Sequence, residues 1–352
     1  MTRREFIGNG TAFVFSTAAF GSTKEDVPEV AAAKKWFRDA QYGLFVHWGL
    51  YALPAGEWRG HRHKVGAEWI MLHSRIPVSE YEKLASAFNP VCFNAEDYVK
   101  LAQDAGMKYI VFTAKHHDGF SMFHSKVTKY NSYDMTPARR DYVEEFAEAC
   151  RKHAMKFCVY YSHDLDWHEK DGGCYDTNMG SWKKYGAPAS PWCNDWDYPN
   201  PREKDFRRYL EGKAIPQVKE LLTQYGEIGT IWYDMGYTLT KEQADALYDF
   251  SHRCQAATLV KWTGDGRFDF GCAGDNGVAG TVRHESFYEV PCTLNDNWGY
   301  CAHDQNWKSI EKVREIRSHL GGLGVNYLLN VGPDCLGRIP VPAGKILREA
   351  RF

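Results

Sequence analysis

Four stretches of the chain carry apolar runs that end in polar or ionisable residues. Tyr42–Val46 leads into His47-Trp48-Gly49, and Tyr109–Ala114 leads into Lys115-His116-His117-Asp118-Gly119-Phe120. Lys156–Tyr161 leads into Ser162-His163-Asp164-Leu165-Asp166-Trp167, and Thr230–Tyr233 leads into Asp234. Apolar runs without polar alternation predict strands covered on both faces. Between them, apolar residues recur at three- and four-residue spacing. Tyr98, Val99, Leu101 and Ala102 precede Gly106; Tyr142, Val143, Phe146, Ala147 and Cys150 precede His153. These are helical faces. Strands alternating with helices predict a parallel sheet with crossover helices.

The pattern is fainter in the second half. Thr258–Trp262 and Thr281–Glu285 are expected as the fifth and sixth strands, and Tyr288–Tyr300 has only weak strand character. Trp307–Leu320 reads as a helix, Gly324–Pro333 as a last strand and Val341–Arg351 as a closing helix. Ala31–Ala40 reads as a short helix ahead of the first strand. The expected fold is α/β: an irregular (β/α)8, TIM-like barrel forming a single catalytic domain over residues 30–352. Such a fold brings chemistry to the carboxyl ends of its strands. Residues 167–200 and 263–280 are loops long enough to expect a functional or lid-like role.

The first 25 residues stand apart. Thr2-Arg3-Arg4-Glu5-Phe6-Ile7 is basic, Gly8–Phe20 is uncharged and small, and Ser22-Thr23-Lys24-Glu25-Asp26 ends the run. This order of charge, apolar run and small residues is that of an export signal, of twin-arginine type, and it is too short to span a bilayer. The expected mature protein is soluble and periplasmic or secreted, with no membrane attachment after signal removal. Cys174 and Cys193, both in the 167–200 loop, could then pair; Cys150 and Cys158 read as core residues.

Composition narrows the chemistry. Net charge is −2 across 352 residues, with Lys and Arg scattered, which leaves no electrostatic case for nucleic acid. No Gly-x-Ser-x-Gly elbow, phosphate loop or dinucleotide fingerprint occurs. No Cys/His cluster has metal-ligand spacing, so no cofactor and no metal are expected. Aromatic residues reach 15%, with 12 Trp and 21 Tyr. Indole, imidazole and carboxylate gathered at strand ends suit a sugar, whose apolar face stacks on rings and whose hydroxyls bond the polar groups. Retaining glycoside hydrolysis needs two carboxylates about 5–5.5 Å apart. Asp234 is the natural nucleophile. The acid is expected from another loop, with Glu285 and Glu289 as candidates and Glu57, Glu68 and Asp296 as alternatives.

The same residues carry a resemblance. Trp36–Gly49, Ala67-Glu68-Trp69, Tyr81–Pro90, Tyr109–Phe120, Arg140-Asp141, Tyr160–Trp167, Ile231–Asp234, Tyr288–Tyr300 and Asn326–Pro333 are similar to the segments of glycoside hydrolase family 29, the α-L-fucosidases. The nucleophile strand of that family usually reads Trp-Phe-Asp-Gly; here Tyr233 replaces Phe and Met235 precedes the glycine. The resemblance implies a retaining exo-α-L-fucosidase acting on a fucosylated oligosaccharide or glycoconjugate. It implies Asp234 as nucleophile and Glu289 as acid/base, with Glu285 the rival. It places His47, Trp48, Glu68, Trp69, His116, His117, Tyr161, Trp232 and Trp298 around the sugar. Asp166 and Trp167 would hold the loop after the third strand, and Arg140-Asp141 would be a structural pair near a helix start. The β-sandwich that often follows the family's barrel is expected to be absent. An α-L-galactosidase on the same barrel, or a sugar-binding barrel without catalysis, are the alternatives.

Overall fold

Among the described residues, eight strands run in parallel. They are β1 (Tyr42–Val46), β2 (Tyr109–Lys115), β3 (Lys156–Tyr161), β4 (Thr230–Tyr233), β5 (Leu259–Val260), β6 (Gly271–Cys272), β7 (Tyr288–Thr293) and β8 (Asn326–Val331). The structure is a computed structural model that describes residues 27–173, 192–200, 203–261, 264–278, 281 and 287–351. The strands pair in the order β5-β4-β3-β2-β1-β8-β7-β6. A parallel bridge between Lys261 and Phe270 then joins the two edges. Each strand therefore lies beside its sequence neighbours and the sheet curls round on itself, as a (β/α)8 barrel requires.

Helices between the strands cover the outside. The longer ones are α1 (Pro28–Ala40), α2 (Ala95–Asp104), α3 (Tyr142–Lys152), α4 (Ile215–Gln224), α5 (Lys241–Cys254), α6 (Ile310–Leu323) and α7 (Val341–Glu349). Their starts are written in polar caps. Asn94 accepts from Glu96 N, Asp141 from Glu144 N, and Thr240 with Gln243 forms a reciprocal capping box. Gly324, in the left-handed conformation at φ 71°, ends α6 and turns the chain into β8. Arg140 pairs with Glu145 while Asp141 caps α3, which matches the structural role expected of both.

Strand alternation decides which side chains reach the barrel interior. Phe45, Tyr109, Val111, Cys158, Tyr160, Trp232, Leu259 and Leu328 pack inside, with Phe37 of α1 closing one end against Phe270 at 4.5 Å. Val46, Phe112, Tyr161, Tyr233, Val290 and Leu329 pack outward with the helices. Continuing the alternation one step past each strand turns His47, Asp234 and Lys261 inward.

Two sequence expectations change. The sixth strand is Gly271–Cys272, inside the loop expected over 263–280, while residues 282–285 of the expected Thr281–Glu285 strand lie outside the described residues. A strand of two residues, Gly271 and Cys272, forms no apolar run for a pattern to detect. Tyr288–Thr293 is a full strand, buried from Glu289 onward. The leader, Cys174 and hence the Cys174–Cys193 pairing, and Glu285 lie outside the described residues.

Beneath the loop after β3, Asp166 is fully buried between two ammonium groups, Lys115 Nζ at 3.0 Å and Lys213 Nζ at 2.9 Å. Burial alone would raise its pKa, but the two lysines outweigh it and hold the carboxyl below the usual carboxylate range. A depressed carboxylate contributes stability that is lost as pH falls. Asp166→Asn leaves the buried Lys115 ammonium without its carboxylate and Lys213 with Glu169 alone. It is expected to cost about 3–5 kcal/mol in chemical denaturation, with a smaller difference between variant and wild type in strong acid.

Candidate active site

The carboxyl ends of β1, β2 and β4 bring three histidines and one carboxylate into contact. The His47 and His116 rings lie 5.7 Å apart, His116 and His117 4.1 Å apart, and His117 Nε2 lies 3.5 Å from Asp234 Oδ2. Asp234 is held from two sides. Tyr160 donates its hydroxyl to Oδ2 at 2.7 Å, and Met235 N donates to Oδ1 at 2.8 Å. The second bond exists because the chain turns sharply after β4, with Met235 at φ 67° and Gly236 at φ 80°. Met235 thus takes up a left-handed conformation that ordinarily favours glycine.

Burial would raise the Asp234 pKa. His117, which takes up its proton in the acid range where Asp234 titrates, outweighs it together with the Lys261 ammonium, the Tyr160 hydroxyl and Met235 N–H, and the net shift is downward. Lys261 reaches this position over the face of Trp232, its Nζ 3.7 Å from the ring centroid. A quarter of the Asp234 side chain stays exposed, so an ionised oxygen faces the mouth. Tyr160→Phe is expected to lower turnover roughly 10-fold and to move the acid limb of kcat/KM to higher pH, because a donor that depresses the Asp234 pKa is gone. A pH–rate profile reads both.

The histidines are neutral. Burial holds His47 down to about 3 and His117 down to about 4, and pushes His116 well below its ordinary value. Their tautomers follow from the hydrogen-bond network. Asn330 donates Nδ2 to Trp298 O at 2.7 Å, which turns its Oδ1 to His47 Nδ1 at 2.7 Å. His47 therefore carries its proton on Nδ1 and offers Nε2 as an acceptor. Ser162 gives its one proton to Leu165 O, so its Oγ accepts from His117 Nδ1 at 2.7 Å. His117 likewise offers Nε2 as an acceptor. Neutral acceptors beside an anionic carboxylate suit the hydroxyls of an uncharged sugar.

Aromatic walls complete the mouth. Trp69 lies 4.9 Å from His117, and Trp298 lies 5.0 Å from His47. The Trp298 segment is tied to the rim by Glu68, whose Oε2 accepts from Gly299 N at 2.9 Å, and by Asn297, whose Oδ1 accepts from Ala67 N at 3.0 Å. Burial pushes the Glu68 carboxyl up to about 7. Trp298 Nε1 donates in turn to Asp275 Oδ2 at 3.2 Å.

Asp275 sits in the loop after β6. Asn276 fixes that loop, its Oδ1 accepting from Thr293 N and from Lys308 Nζ, while its own N–H bonds Pro291 O. The residue stands on the exposed lip of the mouth. Surrounding protein and then the charge of Asp234 push its carboxyl up to about 6. A substrate that filled the mouth would exclude water and strengthen both effects.

Three expected positions prove different. Tyr161 points outward and donates its hydroxyl to Gln217 Oε1 at 2.8 Å; the tyrosine at Asp234 is Tyr160, one residue earlier and on the other face. Trp48 likewise points outward, stacked on Phe93 at 4.9 Å with its Nε1 on Asp334 O. Glu289 lies deep in the barrel. It pairs in register with Asn326, the first residue of β8, so it stands at the amino-terminal end of its strand. Both its oxygens are occupied, by Tyr109 OH at 2.5 Å and Trp232 Nε1 at 2.9 Å. His47, His116, His117, Trp69 and Trp298 meet around Asp234 as expected. Trp232 forms the floor beneath them. Sequence reasoning missed Tyr160, Lys261 and Asp275. The doubly buried third strand gives no sign that the first turns inward, and the last had no strand to announce it.

A parallel barrel whose carboxyl-terminal mouth gathers carboxyl groups with opposed pKa shifts between aromatic walls has the parts of a glycoside hydrolase. The sequence matches the family description Alpha-L-fucosidase over residues 12–350. Human tissue α-L-fucosidase is 34% identical over 354 residues, covering 90% of this chain and 66% of that protein. Among solved structures, α-L-fucosidase AlfC from Lactobacillus casei in complex with α-L-fucose product matches with TM-score 0.84 and 44% identity, covering 90% of this chain and 96% of that one. The α-L-fucosidase of Vibrio sp. strain EJY3 matches with TM-score 0.81 and 32% identity, covering 91% of this chain and 54% of that one. The chain spans 61–69% of the length of the first curated relatives it matches. It belongs to the α-L-fucosidase family, glycoside hydrolase family 29.

Proposed function

We propose that the protein is a retaining exo-α-L-fucosidase in which Asp234 is the nucleophile and Asp275, in place of Glu289, is the acid/base. The observation that carries this reading is the opposed tuning of two carboxyl groups at one mouth. Asp234 is held below its ordinary pKa, and Asp275 is raised to about 6, partly by the charge of Asp234. Two titratable groups pushed apart in this way take the two roles of a double displacement. Asp234 attacks the anomeric carbon and forms the glycosyl-enzyme ester, while Asp275 gives its proton to the departing oxygen. Asp275, now ionised, takes a proton from water as that water attacks, and the ester bond to Asp234 breaks. His47 and His117 accept hydrogen bonds from sugar hydroxyls, and Trp69 and Trp298 flank the ring.

The sugar is L-fucose at the non-reducing end of a glycan or glycoconjugate. The support is family membership and the 44% identity to AlfC, which has been solved with fucose product and with Fuca(1,6)GlcNAc. L-galactose differs only by a hydroxyl on C6, which an apolar pocket rejects modestly. Purified protein is expected to turn over an aryl α-L-fucoside with higher kcat/KM than the α-L-galactoside. A preference for the galactoside would overturn the sugar assignment, and no turnover of either would leave the sugar-binding alternative standing.

The pH dependence follows from the two carboxyls. Activity needs Asp234 ionised and Asp275 protonated, so kcat/KM is expected to fall as pH rises through about 6 and again in acid below the depressed Asp234 pKa. The paired arginines and uncharged run of residues 3–20 support export to the periplasm or beyond with removal of the leader. Amino-terminal sequencing of exported protein tests this, and an intact Met1 would contradict it.

A further inference from the structure

Glu289 remains as a buried carboxyl that the mechanism does not use. It is 1% exposed, and both oxygens are spent on partners inside the barrel. One partner, Trp232, is two residues before Asp234 on the same inward face of β4. The Trp232 ring lies against Tyr160, with centroids 5.5 Å apart and planes 23° apart. Tyr160 gives its hydroxyl to Asp234 Oδ2. On its other contacts the indole meets the Lys261 ammonium and Phe45, the latter at 5.4 Å. Glu289 is thus the first member of a continuous line from Trp232 through Tyr160 to the nucleophile.

We propose that Glu289 is a positioning residue: it fixes the rotation of the Trp232 indole, which forms the floor of the sugar pocket and sets the angle at which Tyr160 holds Asp234. An indole has one polar atom, its N–H, and inside an apolar barrel a single acceptor for that atom decides which way the plane turns. Tyr109, on the second oxygen, keeps the carboxyl itself from rotating. Trp232 transmits this to the site because stacked rings in a close-packed interior move together. The inference rests on the fucosidase reading of the mouth, but not on which residue is the acid.

The test uses full-length enzyme and two readouts: fucose affinity by calorimetry, and aryl α-L-fucoside turnover normalised to active sites titrated with a fluorinated fucosyl donor. Glu289→Leu removes the acceptor and strands the indole N–H. Fucose affinity and turnover per site are expected to fall together, roughly 10-fold or more. Glu289→Gln keeps an acceptor and should recover most of that loss. Trp232→Phe keeps a ring without the N–H and serves where Glu289→Leu folds poorly. It should reproduce the direction of the loss, and the double variant should lose no more than the worse single one. A role in the fold alone would lower the melting temperature while leaving affinity per folded molecule unchanged, and that result overturns the proposal. Additive losses overturn it as well. Azide rescue of Glu289→Gln, with loss confined to poor leaving groups, would make Glu289 the acid and overturn it together with the Asp275 assignment. Wild-type protein that fails to bind fucose would sink the fucosidase reading itself, and this inference with it.

Discussion

Asp234→Asn is expected to abolish turnover of every α-L-fucoside, by at least roughly 10⁴-fold, at unchanged melting temperature. The amide preserves shape and its one oxygen can still accept from either Tyr160 or Met235, but it cannot form the glycosyl-enzyme ester. Its carboxylate precursor is ionised because four groups converge on it, so the loss is chemical and not one of folding. Fucose binding should survive, since His47 and His117 still present their acceptors. Turnover within 100-fold of wild type would show that another group attacks the anomeric carbon.

Asp275→Asn should behave differently. Leaving groups that need little protonation, such as 4-nitrophenolate, should still depart, so that the first step persists and the fucosyl-enzyme accumulates. Natural linkages, which need a proton on the departing oxygen, should lose roughly 10²–10⁴-fold. Azide needs no base to deprotonate it. It should therefore restore the second step and release fucosyl azide with retained configuration. The alkaline limb near pH 6 should disappear, because the group whose carboxyl is raised there is gone. Equal loss across leaving groups without azide rescue would remove Asp275 from the role.

The difference between these residues and the ones expected from sequence has a physical origin. Strands β1 to β4 are long apolar runs, and the polar residues that end them do gather at one rim, so His47, His116, His117 and Asp234 were readable from pattern alone. Facing was harder. A strand buried on both sides shows no polar alternation, so nothing in Phe157–Tyr161 tells which tyrosine turns inward; Tyr160 does and Tyr161 packs against α4. Trp48 follows the same rule beside His47.

The later strands were nearly silent. β6 is two residues long and bounded by a bridge at Phe270, so the loop carrying Asp275 showed no strand before it. Glu289 lies in the segment Tyr288–Tyr300, whose resemblance to the family implies an acid/base there. Register alone places it: pairing with Asn326 sets it at the start of β7, four residues below Thr293 and the rim. Met235, by contrast, was visible as a departure from the family pattern. Its left-handed φ shows why a glycine is usual at that turn.

The central claim is that Asp234 becomes covalently bonded to the sugar. Incubating the enzyme with a fluorinated fucosyl donor that slows the second step, followed by proteolysis and mass spectrometry, tests it most directly. The expected result is a single labelled peptide containing Thr230–Gly236, with fragmentation locating the sugar on Asp234. A label on any other carboxylate, or inactivation without a covalent adduct, would contradict the account.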